Sequence, residues 1–192
     1  LIYIFNRTEI KYDLITEPSE ILKCEAYSNI SLLKTTLFLA EDHRFNHHYG
    51  FDLIAITRAV YKYVTQRKIE GASTIQQQLV RTMSRRHEIS FKRKITEITS
   101  SLILTIKKDK NHIAEKYLEV AFYGSNLKSI DDAMYKLSRI YNLSIHDRDL
   151  YFAIIASLKH PIPLEINKKW FLKHEKRVNH IKFLFINSRI ES

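Results

Sequence analysis

Two acids, Glu41 and Asp42, stand side by side where the apolar run from Ser31 to Ala40 stops, and Phe45, His48, Gly50 and Asp52 follow them. A carboxylate beside an imidazole is a general acid–base pairing, and the same residues also suit a solvated helix end. Continued as one helix, Glu41, Phe45, His48 and Asp52 fall at i, i+4, i+7 and i+11 and share a face. A second block, Gly71-Ala72-Ser73-Thr74-Ile75-Gln76-Gln77-Gln78-Leu79-Val80-Arg81, opens on a turn, and Ser73-x-x-Gln76 reads as a capping box. A helix N-terminus bearing hydroxyls attracts anions, because its free N–H groups and its dipole point the same way. Thr74, Gln78, Arg81 and Arg85 then form a donor-rich face, with a solvated polar face as the plain alternative. The third feature is the densest positive charge of the chain, residues 84–94, which leads into Arg93-Lys94-Ile95-Thr96-Glu97. An exposed Arg93–Glu97 pair is worth only a few tenths of a kcal/mol.

The elements that must position these groups read as helices. Only three glycines and three prolines interrupt the 192 residues. Ser31 is a plausible cap for a helix with Leu33, Leu37 and Ala40 buried, ending at Glu41. Asp52 caps a second helix whose buried stripe is Leu53, Ile56, Val60 and Tyr63. The aromatics and cations at its end (Tyr61, Lys62, Arg67, Lys68) also suit a membrane interface. A further helix buries Phe91, Ile95, Ile98, Leu102 and Ile106 and carries Arg93, Glu97 and Ser100 on another face. Helices follow through Ile113–Ala121 (stopping near Gly124), 129–142 and 147–159, the last ended by Pro161-Ile162-Pro163. The tail, 165–192, is basic, aromatic and helical. Residues 1–30 form an extended lead-in, and Leu1–Phe5 is either an ordinary short strand or the stub of a longer hydrophobic N-terminus. The expectation is an all-α chain forming one unit, 1–192.

Composition narrows the partners. Hydrophobic residues make up 45%, which suits a folded core and excludes a disordered tail. A net charge of +10 favours a polyanionic partner. Cys24 stands alone, so an internal disulfide framework and a cysteine zinc site are excluded. His43 and His47 are spaced for zinc, but no His-Glu-x-x-His accompanies them. No run reaches the roughly 18 apolar residues of a membrane span.

Together, the three blocks resemble the peptidoglycan glycosyltransferases, the family 51 domain of class A penicillin-binding proteins and monofunctional murein polymerases. The first family motif is complete as Glu41, Asp42, Phe45, His48, Gly50 and Asp52, and Arg58 matches the Arg of the next helix. The second is present as Gly71, Ser73, Thr74, Ile75, Gln77, Gln78 and Leu79, with Arg81 where Lys is common. The third is Arg93-Lys94-Ile95-Thr96-Glu97. The fourth is similar to Ile113–Glu119 with Phe122-Tyr123-Gly124, and a fifth to Ile155–Pro161. The resemblance covers roughly residues 30–165. Glu119, Thr105, Ser129 and Leu137-Ser138-Arg139 depart from the family pattern.

The resemblance implies a lysozyme-like, all-α domain with a small apolar, membrane-facing jaw lobe at about residues 44–72. It implies polymerisation of lipid II at the outer face of the bacterial cytoplasmic membrane, with lipid II, the growing glycan chain, the membrane surface and other cell-wall synthesis or division proteins as partners. Glu41 would be the general base, its strength tuned by Asp42 and His48. Glu97, on the opposite wall in the family's fold, would organise the leaving diphosphate or a bridging cation. Asp42, Phe45, His48, Thr74, Gln77, Gln78, Arg81, Arg93 and Lys94 would line the substrate site. No tightly bound cofactor is expected; a divalent cation (Mg²⁺ or Mn²⁺) could travel with the diphosphate through oxygen ligands. Two alternatives stay open: a domain that binds lipid II or a cell-wall partner without turnover, and a lysozyme-like hydrolase sharing the two-carboxylate logic. Nothing resembles a nucleic-acid recognition motif, and a diphosphate lipid accounts for the basicity.

Overall fold

The computed structural model describes residues 29–84 and 90–190. The lead-in expectation, Cys24, Arg85 and Arg86 lie outside the described residues, apart from Asn29 and Ile30 at the edge of the lead-in. Regular structure among the described residues is helical, with no strand beyond a parallel bridge between Gly124 and Ile162. The chain divides into two compact units, one containing 44–117 and the other 118–192 together with the segment ending at His43.

The first unit begins with a 3-10 turn, Phe45–His47, followed by α2 (Leu53–Gln66), α3 (Ile75–Ser84), α4 (Phe91–Lys107) and the greater part of α5 (Lys110–Val120). Asp52 caps α2 as its type and position predict, its carboxylate accepting from Ile54 N at 2.9 Å and Ala55 N at 3.1 Å. The expected buried stripe of α2 does not form. No residue of the helix is buried, and Leu53, Ile54, Val60, Tyr61, Tyr63 and Val64 are exposed. Periodicity shows that a helix is amphipathic; only a packing partner turns the apolar stripe inward.

Helix α4 is reversed in the same sense. Phe91 is 83% exposed and Ile95 and Ile106 also face outward, whereas Glu97, Ser100, Ser101, Leu104 and Thr105 are buried. The inward face packs on α3 and is satisfied by hydrogen bonds: Ser101 Oγ donates to Gly50 O (2.8 Å) and Thr105 to Ser101 O (2.8 Å). Buried polar groups are tolerated where every donor finds an acceptor.

The second unit holds α1 (Ile30–Glu41), α6 (Ile130–Tyr141), α7 (Arg148–Lys159) and α8 (Lys168–Ile190). Asn29 rather than Ser31 caps α1, accepting from Leu32 N at 3.0 Å, because the helix already includes Ser31. Leu150 through Ser157 are all buried, so α7 is the central element, with α1, α6 and α8 packed on it. Ser129, one of the departures from the family pattern, has a local reason: it forms a capping box with Asp132 at the start of α6.

His174 of α8 is fully buried in this unit. Its Nδ1 lies 2.7 Å from Tyr141 Oη and its Nε2 2.9 Å from Ser157 Oγ, with the Trp170 ring 4.7 Å away between centroids. The Ser157 hydroxyl donates to Ala153 O at 3.1 Å, so Nε2–H donates to Ser157 and Nδ1 accepts from Tyr141. The ring is therefore neutral. Burial, with the charge of His160, pushes its pKa down to about 4 against a favourable contact with Ala153.

Candidate active site

Glu41 closes α1 in the second unit. The helix ends there because Asp42 leaves helical geometry (φ −160°) while its N–H still reaches Phe38 O at 2.9 Å. The single helical face expected for Glu41, Phe45, His48 and Asp52 is therefore not built. Asp42 is the buried C-cap, Phe45 lies in the 3-10 turn, His48 follows it, and Asp52 is the cap of α2. Arg177 of α8 reaches this helix end, its Nη2 lying 2.8 Å from both Ala40 O and Glu41 Oε1.

The first unit assembles the remaining candidates around two centres. One is the carbonyl of Gly50. Thr74 Oγ1 (2.8 Å), Gln77 Nε2 (3.2 Å) and Ser101 Oγ (2.8 Å) all donate to it, tying the loop after His48 to the start of α3 and the middle of α4. Gly50 has φ +86°, and a Cβ there would meet Ser101 O at 2.4 Å, so glycine is required twice over. The expected Ser73–Gln76 capping box is replaced. Thr74 caps α3 by accepting from Gln77 N at 3.3 Å, while Ser73 Oγ takes Lys94 Nζ at 3.2 Å. Gln76 and Gln77 are fully buried; on the donor-rich face Thr74 is buried, Gln78 and Arg81 are half-buried, and Arg85 lies outside the described residues. Gln78 accepts from Tyr117 of α5 at 2.6 Å.

The second centre is Glu97, 2% exposed. Arg81 grips it bidentately, Nε to Oε1 at 2.9 Å and Nη2 to Oε2 at 3.2 Å. Arg93 Nη1 donates to the same Oε1, and Lys94 Nζ stands 3.6 Å from Oε2 while also donating to Gln77 Oε1. Burial opposes the charge on Glu97, but the Arg81 hydrogen bonds and the charges of Arg81, Lys94 and Arg93 outweigh it and hold the carboxyl below its usual value. Lys94 is held below its usual value by burial, then by Arg81 and Arg93, with Glu97 acting in the opposite direction. Three cations face one carboxylate, an excess of two positive charges. Such a cluster attracts a multiply charged anion.

Both oxygens of Glu97 are engaged by cations, and among the described residues no group of three or more His, Cys, Asp or Glu side chains is arranged to hold a metal ion. Lys110 is a component of the site's frame. Its Nζ donates to Phe45 O (3.1 Å), Asn46 O (3.0 Å) and His48 O (2.8 Å), over the rings of Phe45 and Tyr49. Phe45 and His48 meet edge to face beneath it, centroids 6.3 Å apart. Neither Lys110 nor Arg177 carries a local signal, since their partners lie 62 and 136 residues away.

A family model described as Transglycosylase matches residues 12–181. A biosynthetic peptidoglycan transglycosylase of Haemophilus influenzae (strain PittEE) is 32% identical over 178 residues, covering 88% of this chain and 67% of the relative. Penicillin-binding protein 4 of Bacillus subtilis is 39% identical over 102 residues, which is 53% of this chain and 16% of that protein. A monofunctional glycosyltransferase of Staphylococcus epidermidis is 35% identical over 101 residues, 53% of this chain and 38% of the relative. The chain thus spans about two thirds of the first of these relatives and well under half of the other two.

Proposed function

The chain belongs to the transglycosylase family, and from that premise we propose that it is a peptidoglycan glycosyltransferase that extends glycan strands from lipid II. The observation that carries the proposal is the Arg81–Arg93–Lys94 cluster on Glu97, with its excess of two positive charges on a largely buried frame. A lipid diphosphate is the leaving group that such charge would stabilise as the bond to the sugar breaks. A hydrolase cutting a neutral glycan releases no such anion.

In this reading Glu41 takes the proton from the 4-hydroxyl of the acceptor sugar. The hydroxyl oxygen attacks C1 of the donor, the C1–O bond breaks, and its electron pair leaves with the lipid diphosphate. Arg81, Arg93 and Lys94 bind that diphosphate, and Glu97 keeps the three cations together in the absence of substrate. Thr74 and Gln77 act on the scaffold, holding Gly50 and hence the His48 loop in place. Any divalent cation arrives with the diphosphate as part of the substrate.

The exposed apolar side chains of α2, next to Lys62, Arg67 and Lys68, support a membrane surface as the place of work, at the outer face of the cytoplasmic membrane. No described helix is long and apolar enough to cross a membrane. The deciding experiment incubates the protein with labelled lipid II in detergent. Longer glycan is expected from wild type and none from Glu41→Gln, which should still fold, with a melting temperature lowered by the loss of the ion pair to Arg177. Shortening of preformed glycan in place of growth, or near-normal polymerisation by Glu41→Gln, would refute the reading.

A further inference from the structure

Arg177 lies in the middle of α8, and its Nη2 contacts stay within its own unit. One nitrogen, Nη2, places its two hydrogens on Ala40 O and Glu41 Oε1, each at 2.8 Å, and both side chains are largely buried (13% and 16% exposed). The last turn of a helix leaves carbonyl oxygens without intrahelical partners and concentrates partial negative charge. A guanidinium there satisfies an orphan carbonyl and balances the carboxylate on the adjoining residue. Because a single nitrogen takes both oxygens, the Glu41 side chain is fixed relative to the backbone that carries it.

The surroundings of Arg177 strengthen this assignment. Burial, followed by the charges of Lys159, Arg177 and Lys173, holds His160 below its usual value. Burial, followed by Arg177 and Lys159, does the same to His180. The positive charge of Arg177 thus disfavours protonation of both imidazoles, and its ion-pair partner is Glu41. With both Nη2 hydrogens engaged, its role differs from that of the Arg81 cluster, where positive charge is in excess.

We infer that Arg177 is a positioning residue for Glu41: it anchors Oε1 and so sets the direction in which Oε2 meets the acceptor hydroxyl. The inference rests on the reading of Glu41 as the base. Loss of about 1 Å of alignment costs on the order of 10²-fold in rate. The full chain is assayed for polymer formation from lipid II as wild type, Glu41→Gln, Arg177→Met (which keeps the aliphatic stem) and Arg177→Lys, with melting curves in parallel. Arg177→Met should lose about 30- to 100-fold in kcat with KM within about threefold. Arg177→Lys, which can still reach one of the two oxygens, should recover most of that loss. Wild-type kcat in Arg177→Met, or a raised KM at unchanged kcat, overturns the inference; the second outcome would make Arg177 a substrate ligand. If Arg177→Met does not fold, Arg177→Gln, whose shorter side chain cannot reach both oxygens, replaces it, and a wild-type kcat in Arg177→Gln overturns the inference. An active Glu41→Gln defeats the base reading itself, whereas an inactive Glu41→Gln beside a fully active Arg177→Met defeats only the positioning role.

Discussion

Replacing Glu97 by glutamine keeps the volume and removes the charge, leaving Arg81, Arg93 and Lys94 facing one another with an amide between them. Removing one partner from a fully buried ion pair costs about 3–5 kcal/mol. Arg81 and Lys94 are each about one-third exposed and can turn partly toward water, while Arg93 is 14% exposed, so the cost here is reduced to about 2–3 kcal/mol. For a chain of this size that lowers the melting temperature by about 5–10 °C. Were Glu97 merely part of an exposed i,i+4 pair, the loss would be a few tenths of a kcal/mol and about 1 °C. Thermal melts followed by circular dichroism at pH 7.5 separate the two. The gap should shrink in high salt, which screens the repelling cations. It should also shrink in acid. A carboxyl whose folded value is depressed stabilises the fold above its unfolded value of about 4.5 and loses that contribution as pH falls through the lower folded value. Wild type and Glu97→Gln therefore converge below about pH 4.5. A Glu97→Gln protein that melts within 1 °C of wild type at low salt would refute the account of the cluster as a buried charge knot.

Two further outcomes follow from the geometry. Gly50→Ala forces a Cβ to within 2.4 Å of Ser101 O at φ +86° and should cost roughly 2 kcal/mol or more, read as a lower urea midpoint. The pKa of His174 is pushed down to about 4 from the ordinary imidazole value of 6.5, so the unfolded chain binds the extra proton between those values. Stability from this group is fully present above about pH 6.5 and falls by roughly 3 kcal/mol on going to pH 4. Urea titrations at pH 7 and pH 4.5 check this, since His174→Gln should lose most of the wild-type slope.

The helices themselves were legible in the sequence because local signals decide them. Asp52 caps α2 as its side chain dictates, and the expected 129–142 and 147–159 helices appear as Ile130–Tyr141 and Arg148–Lys159. The orientation of the helices was less legible. Periodicity groups Phe91, Ile95 and Ile106 on one side of α4 but does not say that the other side, with Glu97 and Ser101, faces inward. That choice is made by Gly50 and by Arg81, both distant in sequence. The acids and the donor-rich face stood out by residue type and spacing, and the family resemblance singled out Glu97. Lys110, Arg177 and the Tyr141–His174–Ser157 chain had no comparable signal, because their roles come from contacts with residues that no spacing rule connects to them.

Lys110 has one more implication. Three main-chain oxygens at 2.8–3.1 Å around a single positive centre resemble the coordination shell of a bound potassium ion, but here the ion is covalently tethered to α5. A free ion would exchange with the buffer and depart on dialysis. The tethered ammonium can swing aside on its four-carbon stem but cannot diffuse away, so the shape of the Phe45–His48 turn is coupled to the folding of α5.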